Sequence, residues 1–229
     1  MRCVFLLFGE QGGKSCYGPA PYLTSSHHYR HLIDVLTRLE SKDFFYGHLA
    51  FSRTVSRILT ASNIYILHSL RDPRDVLLSQ LAFALKHPQH FMHHHLKELH
   101  DPYEQQRLIL QGYLPNGKVL QKSMADQYKD LEKWMSSSQM LLIRYEDLVG
   151  ERGYGDPERQ LSSVKKISCF LDLSMSHAQI KNISESLYDV NTPGFRNGKI
   201  GTWSSVLSHD FLDLFNSEMR STMERWSYS

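Results

Sequence analysis

Short apolar runs alternate along the chain with longer segments in which apolar residues recur every three or four positions. The runs predict buried strands, and the longer segments predict amphipathic helices. Strands are predicted at "CVFLLFG", "DFFYG", "NIYILHSL" and "QMLLIRYEDL". Helices are predicted at "SHHYRHLIDVLTRLESK", "FSRTVSRILTAS", "DPERQLSSVKKISCFLDL", "SHAQIKNISESL" and "FLDLFNSEMRSTMERW", with two more that begin at "DPRD" and run from about Val119 to Met135. Strands separated by helices imply a parallel sheet covered on both faces. We therefore predict an α/β fold, a single three-layer domain over residues 1–229 with a central parallel sheet flanked by helices.

The helix that begins at "DPRD" has well-defined start signals. Pro73 suits the first helical turn, and the Asp72 side chain can cap it. Arg74 is then expected on the solvated side of this helix. The predicted apolar side is formed by Val76, Leu77, Leu81 and Leu85.

The segment from residue 87 to about 118 has a weaker pattern. It holds six histidines between His87 and His100 and a "PNGK" turn, so we expect an irregular lid or insertion there. The run "HPQHFMHHH" lacks the fixed spacing of Cys, Asp or Glu that accompanies histidine in metal sites. We therefore predict no metal.

Composition limits the possible partners. Hydrophobic residues make up 41% of the chain and charged residues 22%, as in ordinary globular proteins. The formal net charge of +2 is too small for a general binder of nucleic acid or anionic membranes, so an anion site must be a local cluster. The three cysteines are odd in number and scattered, which fits a reducing compartment. Because "CVFLLF" is too short to span a bilayer, we expect a cytoplasmic protein without a membrane span.

Polar residues gather where the strand "NIYILHSL" ends. In an α/β sheet, ligands bind beyond the carboxyl ends of the strands, and Arg71 is the first residue after this strand. A guanidinium near a helix start, with the hydroxyl of Ser79 eight residues further on, makes a good anion receptor. The alternative is a surface network of ion pairs among Arg71, Asp72, Arg74 and Asp75.

Four segments, in order, resemble the sulfotransferase family, whose members use 3′-phosphoadenosine 5′-phosphosulfate (PAPS) as donor. "RDPRDVLLSQ" resembles the family's 3′-phosphate-binding segment, and "FFYGHLAFS" resembles a short strand that ends in a catalytic histidine followed by leucine. "LLIRYEDL" is similar to a strand end that carries Tyr-Glu-Asp. "FRNGKIGTW" is similar to the late loop Arg-Lys-Gly-x-x-Gly-Asp-Trp, from which Asn197 and Thr202 depart. Together they cover residues from about 44 to 226.

The resemblance implies a P-loop-like nucleotide-binding fold and a role for each matched residue. His48 is the implied general base, which accepts a proton from a hydroxyl or amine acceptor. Tyr145 is an implied donor contact. The implied ligands of the 3′-phosphate and the donor are Arg71, Ser79, Arg196, Asn197 and Gly198. The acceptor is then a small molecule, a carbohydrate or a lipid, and the segment 87–118 would lie on the acceptor side.

The first loop departs most from the family. Where the family has Pro-Lys-Ser-Gly-Thr or Pro-Arg-Ser-Gly-Thr, this chain has "FGEQGGKSC", in which Gly12, Gly13, Lys14 and Ser15 could hold the phosphosulfate. Alternatively, the chain is a truncated or non-catalytic relative that binds nucleotide. A second alternative is a P-loop kinase or nucleotide triphosphatase, although "IYILHSLR" ends without the acidic residue that would bind magnesium.

Overall fold

The computed structural model describes residues 16–20, 43–47, 51–135, 139–191 and 197–228. The predicted strand "CVFLLFG" and the predicted helix "SHHYRHLIDVLTRLESK" lie outside these residues.

The strands pair in parallel, as the alternation with helices predicts. They are β1 (Cys16–Ala20), β2 (Phe44–Gly47), β3 (Ile66–Leu70) and β4 (Met140–Arg144). Strand β1 pairs with β2, and β3 pairs with β4. Ile66 lies opposite Met140 and Leu70 opposite Arg144, so β3 and β4 begin and end level with each other.

The helices are α1 (Arg53–Ala61), α2 (Pro73–Lys86), α3 (His93–Glu98), α4 (Pro102–Gln111), α5 (Met124–Trp134), α6 (Pro157–Phe170), α7 (His177–Ser186) and α8 (His209–Arg225). Their starts follow local chemistry. Helices α2, α4 and α6 each begin with an Asp-Pro pair in which the aspartate side chain accepts a backbone N–H of the first turn. Helix α7 begins with a capping box between Ser176 and Gln179.

The described chain forms two compact units. The first, which we call the strand unit, contains the described residues up to Leu70 and Lys133–Asp189. Its core packs Ile143 of β4 against Val164 and Ile167 of α6 and against Ile180 and Ile183 of α7. The prediction of one domain over residues 1–229 stays a prediction.

The second unit, the helical unit, contains Arg71–Glu132 and the described residues from Val190 onward. Phe211 and Phe215 of α8 are fully buried, as are Leu77 of α2 and Ala84, about two turns further along the same helix. Tyr103 of α4 meets Phe211 edge to face, with ring centroids 5.6 Å apart. Helix α5 contributes residues to both units.

The segment 87–118 is more regular than expected. It holds helices α3 and α4, whose side chains at Leu96, Ile109 and Leu110 are buried. The many histidines made the apolar positions of this segment, among them Met92, Leu96, Ile109 and Leu110, hard to recognise as a helical pattern. The function of this segment as a lid or acceptor-side insertion stays a prediction.

The predicted apolar side of α2 is partly right. Leu77 and Leu81 are buried, but Val76 and Leu85 are only half-buried, and Leu78 and Ala84 are buried beside them. Helix α5 is shorter than predicted and begins at Met124. In the part of the chain described here, no helix is both long and apolar enough to cross a membrane.

Candidate functional site

Strand β3 leads directly into helix α2. Leu70 ends the strand, Arg71 follows, and Asp72 caps the helix by accepting the N–H of Arg74 at 2.9 Å. The hydroxyl of Tyr128 on α5 donates to the carbonyl of Arg71 at 2.7 Å. These contacts fix the backbone of Arg71 between the strand and the helix.

The guanidinium of Arg71 reaches a loop more than a hundred residues away in the sequence. Its Nη2 donates to the carbonyl of Lys199 at 2.9 Å and lies 3.5 Å from Oδ2 of Asp75. Lys199 follows Asn197 and Gly198, two of the residues predicted to hold the donor. The structure therefore brings the strand-end arginine to the late loop.

The side chain of Asp75 is the centre of this arrangement. It is fully buried and accepts three hydrogen bonds from the late loop: from Gly201 N at 2.8 Å, from Thr202 Oγ1 at 2.8 Å and from Trp203 N at 3.1 Å. These donors are the first groups of the short 3₁₀ helix Thr202–Ser205, so Asp75 caps that helix from a distant part of the chain.

Arg74 takes part in a second buried ion pair. Its Nε and Nη2 donate to both carboxylate oxygens of Asp72, and Nη2 also donates to the carbonyl of Tyr228 at 2.9 Å. Its Cζ lies 3.8 Å from the centroid of the Trp203 ring, which is a cation–π distance. The expectation that Arg74 faces solvent is therefore wrong, because Trp203 and Tyr228 cover it.

The alternative of an Arg–Asp network is partly realised. The pairs are Arg71 with Asp75 and Arg74 with Asp72, and both aspartates are buried. A buried network differs from a surface network because desolvated charges must be matched by fixed partners. Here the network connects α2 to the late loop.

The remaining predicted residues of the helical unit lie near these contacts in sequence. Ser79 is half-buried in α2, one turn after Asp75, so the two residues share a side of the helix. In the late loop, Oδ1 of Asn197 accepts the N–H of Lys199 at 3.3 Å, and Gly198 has φ of +62°. That left-handed conformation favours glycine.

Tyr145 belongs to the strand unit. It is the first residue after β4 and begins the 3₁₀ turn Tyr145–Asp147. Its carbonyl accepts the N–H groups of Leu148 and Val149, and its side chain is half-buried. His48, Arg196 and the loop residues Gly12, Gly13, Lys14 and Ser15 lie outside the described residues.

Sequence reasoning missed the role of Asp75 in connecting Arg71 to the late loop. One local signal was present, because Arg71 and Asp75 stand four residues apart at a helix start, a spacing that allows an ion pair. The contacts to Gly201, Thr202 and Trp203 carry no local signal.

The histidine-rich segment forms an aromatic cluster on the helical unit. The His87 ring lies 4.0 Å from that of Phe83, and the His90 ring stacks 4.4 Å from that of Phe91. Burial and the neighbouring imidazoles of His87 and His93 lower the pKa of His90. In addition, Nδ1 of His90 accepts the N–H of Met92 at 3.2 Å, a contact that requires an unprotonated nitrogen. Among the described residues, no group of three or more His, Cys, Asp or Glu side chains is arranged to hold a metal ion.

The family follows from a comparison with known proteins. The family model described as "Sulfotransferase domain" matches residues 13–227, so the chain belongs to the sulfotransferase family. A search among curated proteins finds no match.

Two solved structures support the fold. A mouse sulfotransferase complexed with PAP is 16% identical, with a TM-score of 0.67, and the match covers 96% of this chain and 80% of that one. A retinol dehydratase in complex with androsterone and the inactive cofactor PAP is 15% identical, with a TM-score of 0.63 and coverage of 97% and 76%. The predicted α/β fold of the sulfotransferase type is thereby confirmed.

Proposed function

We propose that this protein transfers a sulfuryl group from PAPS to a hydroxyl or amine of a small-molecule, carbohydrate or lipid acceptor. Family membership supports a transferase. The observation that carries the donor assignment is the hydrogen bond from Arg71 to the carbonyl of Lys199, because it joins the strand-end arginine to the late loop.

The donor fits the chemistry of the residues that meet there. A 3′-phosphate is a dianion at neutral pH, and a guanidinium binds it through parallel charged hydrogen bonds. Arg71 supplies the guanidinium, and Ser79 supplies a hydroxyl on the same helix. Asn197 and Gly198 supply backbone groups of the late loop, to which Arg196 is adjacent in sequence. The match to the family's Tyr-Glu-Asp segment supports Tyr145 as a further donor contact.

In the proposed reaction the acceptor oxygen or nitrogen bonds to sulfur while the bond from sulfur to the 5′-phosphate oxygen breaks. The acceptor proton passes to His48, since an unprotonated imidazole nitrogen can accept it. The products are the sulfated acceptor and adenosine 3′,5′-bisphosphate, PAP. Residues that hold the 3′-phosphate act by positioning, far from the bond that breaks.

A magnesium-dependent kinase is the weaker alternative. The acidic residues nearest the end of β3 are Asp72 and Asp75, and both already accept charged or backbone hydrogen bonds from the protein. A magnesium ion would have to compete with these partners for the same oxygens. A nucleotide-binding relative without transfer activity is favoured by one sequence observation, the unusual "GGKS" loop.

Nucleotide binding tests the donor assignment. Thermal unfolding is measured with PAP, with adenosine 5′-phosphate, which differs only by lacking the 3′-phosphate, and with ATP and magnesium. At 100 times its dissociation constant, PAP should add about 2.7 kcal/mol, which for a chain of this size raises Tm by roughly 5 to 10 °C. The other two nucleotides should shift Tm much less. Equal shifts from all three would overturn the proposal.

Transfer of label from PAPS to a panel of phenols, alcohols and amines tests the reaction itself. Transfer that is lost in His48→Ala, while PAP still raises Tm in that variant, supports His48 as the base. PAP binding without transfer to any acceptor would favour the non-catalytic alternative. Lys14→Ala examines the "GGKS" loop, and we expect it to change the rate by less than about tenfold.

A further inference from the structure

Asp75 is the most deeply buried charged group among the described residues of the helical unit, and its solvent exposure is 0%. An isolated carboxylate in such a place is strongly unfavourable, so its retention depends on donors that replace water. Four groups supply them: three on the late loop and the guanidinium of Arg71. Its position in the first turn of α2 adds the positive end of the helix dipole.

The two oxygens of Asp75 have different partners. Oδ1 accepts from the hydroxyl and the backbone of the 3₁₀ helix, at Thr202 and Trp203. Oδ2 accepts from Gly201 N at 2.8 Å and lies 3.5 Å from Nη2 of Arg71. One side chain therefore anchors the late loop and, through its other oxygen, faces the arginine that we propose as the phosphate ligand.

The geometry of Arg71 follows from this arrangement. A guanidinium is planar, with its N–H donors in a fixed fork. When Asp75 and the carbonyl of Lys199 hold Nη2, they also fix the direction of the other donors. The orientation of the fork and the position of Asn197 and Gly198 therefore depend on the same carboxylate.

We propose that Asp75 is a positioning residue that makes donor binding selective for nucleotides with a 3′-phosphate, by holding Arg71 and the late loop in one geometry. This inference rests on the proposed function of the site. Thr202 acts with Asp75, because its hydroxyl is one of the donors that keep the carboxylate in place.

The substitution Asp75→Asn tests the charge with little change of shape. Either orientation of the amide places its NH₂ group against a backbone N–H, of Gly201 or of Trp203, and the negative charge beside Arg71 disappears. The readout is the ratio of the affinities for PAP and for adenosine 5′-phosphate, measured by calorimetry. We expect the ratio to fall by about tenfold or more, the scale of one charged hydrogen bond.

Thr202 provides a second, milder pair of variants. Thr202→Val removes the hydroxyl that donates to Asp75 and keeps the side-chain shape, and it should lower the ratio by roughly threefold, as for a modest hydrogen bond. Thr202→Ser retains the hydroxyl and should leave the ratio unchanged. If Asp75→Asn does not fold, the Thr202 pair decides the question.

Leu110→Ala is the control for lost stability, because Leu110 is buried in the same unit and lies in α4. It should lower Tm without changing the ratio.

The outcomes separate the inference from the proposed function. An unmodified protein without preference for PAP over adenosine 5′-phosphate would overturn the proposed function. A preference that is lost in Arg71→Lys but kept in both Asp75→Asn and Thr202→Val would overturn only the role of Asp75. The same fall in Leu110→Ala would mean that stability, and not positioning, sets the ratio, and it would also overturn the inference.

Discussion

The variant Arg74→Ala tests whether a largely buried ion pair contributes more to stability than an exposed one does. Arg74 donates to both oxygens of Asp72, with distances of 2.7 to 3.2 Å, and its side chain and that of Asp72 are 15% and 11% exposed. It also contacts the carbonyl of Tyr228 and the ring of Trp203. The alanine variant loses all these contacts, and the Asp72 carboxylate loses the guanidinium that neutralises it.

The expected loss follows from the burial of the pair. Breaking a fully buried pair costs about 3 to 5 kcal/mol, whereas an exposed pair contributes about 0 to 1 kcal/mol. The Arg74–Asp72 pair lies between these limits but nearer the buried one, and the cation–π contact adds about 1 kcal/mol. We therefore expect Arg74→Ala to lower the free energy of unfolding by about 3 kcal/mol.

Arg107→Ala is the matched control. Arg107 also donates through Nε and Nη2 to a carboxylate, that of Glu104, but the two side chains are 47% and 37% exposed. The control should lose less than about 1 kcal/mol. Denaturant titration of both variants measures the difference, and a double-mutant cycle with Asp72→Asn, which keeps the helix cap, isolates the pair. Equal losses in Arg74→Ala and Arg107→Ala would refute the claim that burial gives this pair its strength.

Three further predictions test other contacts. Gly112→Ala should cost more than about 3 kcal/mol, above the ~1 to 3 kcal/mol of backbone strain alone, because its Cβ would lie 2.6 Å from Gln121 O at φ of +81°. Gly117→Ala, at φ of +75° with open space around its Cβ, should cost less, and equal losses in denaturant titration would contradict this. The pKa of His90 is lower in the folded protein than in the unfolded chain, so below pH ~6.5 the unfolded chain binds more protons. The folded protein should therefore lose stability as the pH falls from ~6.5 through the lowered pKa. In His90→Gln, Tm measured between pH 5 and pH 8 should fall less on the acid side, and an unchanged profile would argue against this role. Arg71→Lys should weaken PAP binding by about tenfold while it keeps a positive charge near Asp75, and calorimetry that finds no loss would remove Arg71 from the donor site.

Local chemistry made the helix starts predictable, and distance in sequence hid the site contacts. Asp72 and Pro73 predict the start of α2 because a capping side chain and a first-turn proline depend only on residues within three positions. The same Asp-Pro signal at Asp101 begins α4, but the surrounding histidines and the "PNGK" turn led us to expect irregular structure.

The charge of Arg74, and not the periodicity of α2, led us to expect it on the solvated side. The helical period places Arg74 on the same side as Leu77 and Leu81, which follow it by three and seven residues. In the structure, that side is covered by Trp203 and by the carbonyl of Tyr228, which are 129 and 154 residues away in the chain. The spacing therefore indicated the side of the helix, but the groups that cover the guanidinium lie too far away in the sequence to be predicted from it.

The ion-pair network observed in "RDPRDVLLSQ" is compatible with the phosphate receptor that we propose for the same segment. A phosphate ligand must be held with its donors aimed before the anion arrives, since a mobile arginine loses conformational entropy on binding. The buried carboxylate of Asp75 beside Arg71 supplies that restraint. The late loop supplies the hydrogen-bond donors that stabilise this buried charge. Under the proposed function, the network would not compete with phosphate binding, because it would set the direction of the guanidinium. It follows that Asp75 and Arg71 should couple in binding experiments, and that Arg74, which is held by the other aspartate, should affect stability more than affinity.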